Sequence, residues 1–96
     1  MSKAIITSVD ATVSPDLEAP LIEGYQRVIA AARPDGLLRA ELLRGQDGAW
    51  RLQSTWRDMD ALMAARESGN PPAALRLLQD LGIESTHGWF VMEAGF

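Results

Sequence analysis

The sequence predicts an α+β domain: one antiparallel sheet of four strands with helices packed on one of its faces. Three observations support this. Residues 3–13, KAIITSVDATV, are rich in β-branched side chains, which fit the pleated surface of a strand. An Asp47-Gly48 pair separates two apolar segments, and such a pair favours a hairpin because glycine tolerates positive φ. A segment with apolar residues at helical spacing follows the first strand, and another follows the hairpin.

The first helix follows the first strand. Ser14, Pro15 and Asp16 form a start signal, because serine caps a helix, proline suits its first turn and aspartate complements the dipole. Pro20 is unfavourable in a helix interior, so either the helix kinks there or it begins there. The helix is expected to end near Ala32, before the Arg-Pro-Asp-Gly stop at residues 33–36. Its apolar stripe comprises Leu17, Leu21, Tyr25, Val28 and Ala32.

The remaining elements are bounded by turn and capping signals. Asp58 is a candidate N-cap, residues 69–72 (Gly-Asn-Pro-Pro) break the helix that follows it, and Gly82 ends the next helix. The predicted elements are strands at 37–44 and 49–57, helices at 59–68 and 73–81, and a last strand from Ile83 or Thr86 to Ala94.

This order, β-α-β-β-α-α-β, is the ferredoxin-like split βαββαβ arrangement, in which the first and third strands are central. Residues 1–96 are therefore expected to form one domain with a single, thin core.

Alternation along each strand predicts which side chains share a face. On the third strand, Trp50, Leu52, Ser54 and Trp56 are expected beneath the helices. On the second strand, the two sets are Leu38, Ala40 and Leu42 against Leu37, Arg39, Glu41 and Leu43. On the last strand, they are His87, Trp89, Val91 and Glu93 against Gly88, Phe90, Met92 and Ala94. Large apolar groups thus occur on both faces, which predicts a homodimer through the open face of the sheet.

Composition excludes several classes of function. The net charge of −4 disfavours binding to nucleic acid or to an anionic membrane. The absence of cysteine excludes disulfides, thiolate metal sites and a cysteine nucleophile, and a single histidine leaves little scope for a histidine metal site. The N-terminal segment has neither a signal peptide nor a membrane span, so we expect a cytoplasmic protein.

Several segments resemble the antibiotic biosynthesis monooxygenase domain, a family of dimeric α+β barrel proteins. They are the PDGLL opening of the second strand, the run WRLQSTWRDMDALMAARES and the closing THGWFVMEA. Together with the element order, the resemblance covers nearly the whole chain. It implies a cavity between sheet and helices, and a dimer in which two sheets pair.

Catalytic members of that family oxidise quinols or polyketide aromatics with molecular oxygen, without metal or flavin, so the resemblance implies no cofactor. The substrate would be a small aromatic or hydrophobic molecule. Two alternatives stay open: a non-catalytic barrel that binds a small hydrophobic ligand, and a structural dimer whose own side chains fill the cavity.

The catalytic candidates are Trp56, His87 and Arg66. Trp56 matches a tryptophan that recurs in the family's pocket, just before the second helix. His87 has an ordinary pKa near neutrality and could accept a phenolic proton as a general base. Arg66 could pair with an anionic or quinone oxygen. The competing interpretations are a core anchor for Trp56, a loop or dimer-rim position for His87 and a solvated helix face for Arg66.

The substrate-binding candidates are Tyr25, Trp50, Met59, Leu62 and Met63. Each could equally be a core residue. Haem-degrading members of the family use a histidine near the position of Arg66 and an asparagine early in the first strand, where this chain has Thr7 and Ser8. Haem chemistry is therefore disfavoured.

Overall fold

A computed structural model describes residues 3–31, 33–67 and 73–95. Its elements are β1 Ile5–Thr12, α1 Pro15–Ala31, β2 Leu37–Arg44, β3 Ala49–Trp56, α2 Met59–Arg66, α3 Ala73–Asp80 and β4 Ser85–Val91. The strands form one antiparallel sheet in the order β2-β3-β1-β4. The predicted fold class and the central positions of β1 and β3 are confirmed. Ala32, Ser68 and the predicted break at 69–72 lie outside the described residues.

Helix α1 begins at Pro15, so the start signal at residues 14–16 is confirmed and a start at Pro20 is wrong. The Ser14 carbonyl accepts a hydrogen bond from the N–H of Leu17 at 3.0 Å. Pro20 lies inside the helix, where its missing N–H removes one bond of the ladder. Gly24 is buried where α1 meets α3. A Cβ at this position would overlap the side chain of Leu77, so the absence of a side chain lets the two helices approach closely.

The turn between β2 and β3 is a hairpin, as predicted. Asp47 and Gly48 both have positive φ, at 55° and 79°. Two backbone hydrogen bonds close the loop, from the N–H of Gly45 to the carbonyl of Ala49 at 2.7 Å and from the N–H of Ala49 to the carbonyl of Gln46 at 3.0 Å.

Strand β2 contains a bulge that the sequence pattern did not reveal. Leu37 pairs with Trp56 but Arg39 pairs with Thr55, so Leu38 is an extra residue in the ladder. Leu37 consequently packs on the helix side near Trp56. The prediction that Leu37 shares a face with Arg39, Glu41 and Leu43 is wrong, because the bulge interrupts strict alternation.

Cross-strand register defines two sides of the sheet. On the helix side, Thr7 pairs with Ser54 and Trp89, and Val9 pairs with Leu52 and His87. The opposite side, here called the open side, carries Asp10, whose carboxylate accepts a hydrogen bond from Arg51 at 2.6 Å. Phe90 also lies there and is 60% exposed. The predicted helix-side positions of Trp50, Leu52 and Trp56 are confirmed by their burial.

The buried side chains form two separate clusters on the helix side. The α1–α3 cluster contains Val13, Leu21, Trp50, Leu52, Leu78 and Ile83. The α2 cluster contains Ile5, Trp56, Ala61 and Leu62. Helix α2 is oriented by its N-cap Asp58, whose carboxylate accepts from the N–H of Ala61 at 2.8 Å, as predicted. Trp50 and Trp56 are six residues apart on one strand, a separation of about 20 Å. One strand therefore supplies a tryptophan to each cluster.

Within the described residues, no helix has both the length and the apolar character needed to span a membrane.

Candidate functional site

Trp56 is the last residue of β3 and only 8% exposed. Its side chain packs in the α2 cluster, against apolar neighbours that include Ile5 and Leu62. Among the described residues, its indole Nε1 is buried without a hydrogen-bond partner. A buried unsatisfied donor costs about 1–3 kcal/mol. Within the described chain, the indole N–H is therefore a donor without a partner on the helix side of the sheet.

A groove of about 370 Å³, the Trp89 groove, lies beside the α2 cluster. Its walls are Lys3, Ile5, Asp58, Met59, Asp60, Trp89 and Val91. Ile5 belongs to the α2 cluster and Met59 packs against it, so this groove adjoins the surroundings of Trp56. The indole of Trp89 is 51% exposed. The groove thus offers an aromatic wall, flexible apolar groups and carboxylates at its edge.

A second groove, the Trp50 groove, has a volume of about 550 Å³ and lies between α1 and the β2–β3 hairpin. It is lined by Ile22, Tyr25, Gln26, Leu42, Arg44 and Trp50. The Trp50 indole donates from Nε1 to Glu18 at 3.2 Å, and the Arg44 guanidinium lies 4.7 Å from the centre of its ring. Burial, and secondly the charge of Glu41, raise the pKa of Tyr25 above its ordinary value.

The predicted site residues do not converge on one place. Trp56, Met59 and Leu62 lie together at the α2 end, whereas Tyr25 and Trp50 line the Trp50 groove. A single small aromatic molecule cannot contact both tryptophans across about 20 Å.

The remaining three candidates lie outside these two groups. His87 is exposed on β4 and Arg66 is exposed at the end of α2. Met63 is also exposed. The roles proposed for all eight residues stay predictions, and the structure adds that they divide between at least two locations.

Most residues that line these grooves were not among the predicted site residues, and neither was Glu18, which accepts the hydrogen bond of Trp50. Arg44 lies directly opposite Trp50 across the hairpin, and counting back from the Asp-Gly turn would have revealed that pairing. Trp89 shares a face with His87 by simple alternation. Glu18 had no such signal, because its contact with Trp50 depends on how α1 crosses the sheet.

In the described part of the chain, no group of three or more histidine, aspartate or glutamate side chains is arranged to hold a metal ion. The predicted absence of a cofactor stays a prediction.

A single antiparallel sheet with helices on one side, carrying a buried tryptophan at the junction of β3 and α2, defines a ferredoxin-like α+β class. Comparison with protein-family models finds no match, and neither does comparison with curated proteins. Solved structures do match. The cofactor-independent oxygenase SnoaB from Streptomyces nogalater is 23% identical with a TM-score of 0.70, and the alignment covers 100% of this chain and 98% of SnoaB.

Two further structures show the same fold. A proposed antibiotic biosynthesis monooxygenase from Deinococcus radiodurans is 18% identical with a TM-score of 0.69, over 96% of this chain and 93% of that one. A heme-degrading protein from Mycobacterium tuberculosis is 15% identical with a TM-score of 0.73, over 100% and 98%. The chain has the fold of the antibiotic biosynthesis monooxygenase proteins, and the resemblance is confirmed at the level of the fold.

Proposed function

We propose that this protein is a cofactor-independent monooxygenase that oxidises a small, electron-rich aromatic molecule with molecular oxygen. The observation that carries the proposal is the buried, unpartnered indole N–H of Trp56. The oxygenase SnoaB, whose fold the chain shares, supports the reaction class.

The reaction needs a substrate that can itself reduce oxygen. Loss of a phenolic proton gives an electron-rich anion that transfers electrons to O₂. One oxygen atom then enters the ring as a carbonyl and the other leaves as water. A fixed N–H donor aimed at the substrate oxygen stabilises the developing negative charge, most effectively where water is excluded. Trp56 supplies such a donor in an apolar setting.

The substrate would approach through the Trp89 groove. This groove shares Ile5 and Met59 with the surroundings of Trp56, and a methionine side chain adapts readily to an incoming ring. The exposed indole of Trp89 provides a flat surface for stacking. His87 lies two residues before Trp89 on the same side of β4, which makes it the candidate to accept the phenolic proton.

Oxygen uptake with a panel of dihydroxynaphthalenes and anthrones tests the proposal. Loss of one charge-stabilising donor lowers kcat by about 100-fold or more in well-studied enzymes, so Trp56→Phe should lose activity on that scale. Trp50→Phe is the matched control, because it removes an indole about 20 Å away, and it should leave kcat nearly unchanged. Equal activity of Trp56→Phe and wild type would remove Trp56 from the mechanism.

A non-catalytic binding protein is the second candidate. One observation favours it: neither His87 nor Arg66 lines the Trp89 groove. In that case the same aromatic compounds should bind, as measured by quenching of tryptophan fluorescence, while oxygen uptake stays at the background rate with every compound. Turnover of any compound above background, lost in Trp56→Phe, would exclude this alternative.

We also propose that the open side of the sheet and strand β4 pair with a second copy of the chain. The supporting feature is exposed apolar surface, which includes Phe90 on the open side, Leu43 on β2 and Met92 after β4. Both edge strands, β2 and β4, also have a free edge within the described sheet.

Analytical ultracentrifugation tests the dimer at micromolar concentration. Phe90→Asp should convert the dimer to a monomer, because a carboxylate cannot be buried unpaired at an apolar interface. Glu84→Lys is the control, since it changes an exposed charge just before β4. A wild-type monomer would contradict the proposal.

A further inference from the structure

Four side chains, one from each strand, form a row across the helix side of the sheet. Trp56 pairs with Leu37 of β2 on one side and with Ile5 of β1 on the other. Ile5 pairs in turn with Val91 of β4. Residues paired in an antiparallel sheet point to the same face, and neighbouring strands are about 5 Å apart. Along the row, Trp56 is therefore about 10 Å from Val91 and about 5 Å from Leu37.

The β4 end of this row is accessible. Ile5 and Val91 line the Trp89 groove, where the exposed indole of Trp89 forms one wall. Val91 is itself exposed. A flat molecule that enters by this groove passes over Ile5 before it reaches the Trp56 indole, because Ile5 lies between Val91 and Trp56 in the row.

The β2 end of the row is closed by residues 34–38. The bulge in β2 turns Leu37 to the helix side, where it packs against the α2 cluster. The Gly36 carbonyl accepts a hydrogen bond from the N–H of Arg57 at 2.8 Å. Gly36 also approaches α2 so closely that a Cβ there would overlap the Cβ of Ala61. These contacts hold Leu37 in place at the end of the row.

A row with one accessible end and one closed end limits the shape of a ligand. In the proposed function, the substrate oxygen accepts from the indole N–H of Trp56. On the β4 side of that oxygen, a ring system can extend over Ile5 for about 10 Å. On the β2 side there is one strand spacing, about 5 Å, and the Leu37 side chain occupies it. A ring fused on the β2 side of the oxygen-bearing ring would therefore overlap Leu37.

We propose that Leu37 is a specificity-determining residue, which restricts the substrate to ring systems fused on only one side of the oxygen-bearing ring. The inference rests on the proposed function, because it takes the Trp56 N–H as the group that receives the substrate oxygen. Naphthalene-sized compounds with oxygen on a terminal ring meet the restriction. Anthrone, whose carbonyl ring is fused on both sides, does not. Of the two classes in the oxygen-uptake panel, the dihydroxynaphthalenes are therefore the favoured substrates.

A matched pair of ligands tests this restriction without turnover. 1-Tetralone and anthrone both present a ring carbonyl, and anthrone has one more fused ring beyond it. The chain has three tryptophans, and the indole N–H signal of Trp56 in an ¹⁵N-labelled sample is the one lost in Trp56→Phe. Titration under nitrogen should shift this signal saturably with 1-tetralone. Anthrone should bind about 10-fold more weakly or worse, the scale on which an apolar pocket discriminates by size.

Leu37→Ala should tighten anthrone binding by about 10-fold and leave 1-tetralone binding nearly unchanged. Leu37→Val should change the preference in the same direction by a smaller factor, and it replaces Leu37→Ala if that variant fails to fold. Leu38→Ala is the control, because Leu38 is the exposed extra residue of the bulge, and it should keep the wild-type preference. A merely structural role of Leu37 would change the affinity for both ligands alike.

The outcomes separate this inference from the proposed function. If 1-tetralone shifts the Trp56 signal but the preference is the same in wild type and both Leu37 variants, Leu37 does not determine specificity and the proposed function stands. Tighter binding of anthrone than of 1-tetralone to the wild type has the same meaning. If neither ligand shifts the Trp56 signal in any variant, both the inference and the role of Trp56 in the proposed function are overturned.

Discussion

Two tryptophans on the same strand have opposite surroundings. The Trp50 indole donates to Glu18, carries the Arg44 guanidinium over its ring and packs in the large α1–α3 cluster. The Trp56 indole is also buried, but its N–H has no partner among the described residues, and it packs in the smaller α2 cluster. A satisfied buried donor stabilises the fold, whereas an unsatisfied one lowers stability and calls for an explanation.

The difference separates a structural end of the molecule from a candidate functional end. Helices α1 and α3 contact each other and cover the structural end together. The other end has α2 alone, a helix of eight residues that begins three positions after Trp56. A short helix with few buried neighbours opens at lower free energy than a two-helix layer. The α2 end is therefore the part of the structure better suited to admit a ligand.

The largest expected effect is a cavity in the α1–α3 cluster. Leu21 is fully buried there, and Leu21→Ala should lower the free energy of unfolding by about 4 kcal/mol, near the upper end for such changes. Leu62→Ala, in the α2 cluster, should cost about 2–3 kcal/mol, because a single short helix can shift to fill the space. Urea unfolding measures both, with exposed Ile29→Ala as the control. A larger loss from Leu62→Ala would reverse the proposed order of the two ends.

Substitution of two glycines, Gly24 at the α1–α3 end and Gly36 at the α2 end, also compares the two ends of the molecule. Gly36 has φ of +86°, and a Cβ there would overlap the Cβ of Ala61 on α2, so Gly36→Ala should cost about 2 kcal/mol or more. Gly24 has helical backbone and would meet only the end of the Leu77 side chain, so Gly24→Ala should stay within about 1 kcal/mol of wild type.

Gly82 provides the control for Gly36, since its φ is +72° and a Cβ would meet nothing within 4 Å. Gly82→Ala reports backbone strain without overlap, about 1 kcal/mol. Equal losses from Gly36→Ala and Gly82→Ala in thermal unfolding would show that Ala61 does not constrain the turn.

Replacement of each tryptophan by phenylalanine tests the two indole groups directly. Trp50→Phe should be less stable than Trp56→Phe by about 1 kcal/mol, because it breaks the hydrogen bond to Glu18 whereas Trp56→Phe breaks none. In a Glu18→Ala background the extra loss from Trp50→Phe should largely disappear, as measured by a double-mutant cycle in urea. An undiminished loss would mean that the hydrogen bond contributes little.

Local signals in the sequence account for most of the fold. The Asp47-Gly48 turn and the Asp58 cap depend on a few adjacent residues, so they could be predicted. The bulge at Leu38 could not, because it is a property of how β2 pairs with Trp56 and Thr55. Predicted strand and helix ends differ from the structure by a few residues, as frayed ends usually do.

The candidate site was less predictable, for a related reason. Burial of Trp50 and Trp56 follows from alternation, but the state of each indole N–H depends on polar atoms contributed by distant segments. Glu18 reaches Trp50 only because α1 crosses the sheet at that point, and no spacing in the sequence encodes this crossing. Separation of the site residues into two groups likewise follows from the rise of a strand, once both tryptophans are placed on it.

The smallest expected effect is a shift in the pKa of Tyr25, which lines the Trp50 groove. Tyr25 is the only tyrosine of the chain, so the near-ultraviolet absorbance of tyrosinate reports on it alone. Its pKa should lie above 10.0 in the folded chain, chiefly through burial and secondly through Glu41, and should return to the ordinary value in urea. Because the folded state holds this proton more tightly, its contribution to stability is complete below the unfolded pKa. That contribution is lost as pH rises through the folded pKa.

Glu41→Gln should lower the folded pKa of Tyr25 only partly, with Glu23→Gln as the control. A complete return to the ordinary value would show that charge, and not burial, is the main cause.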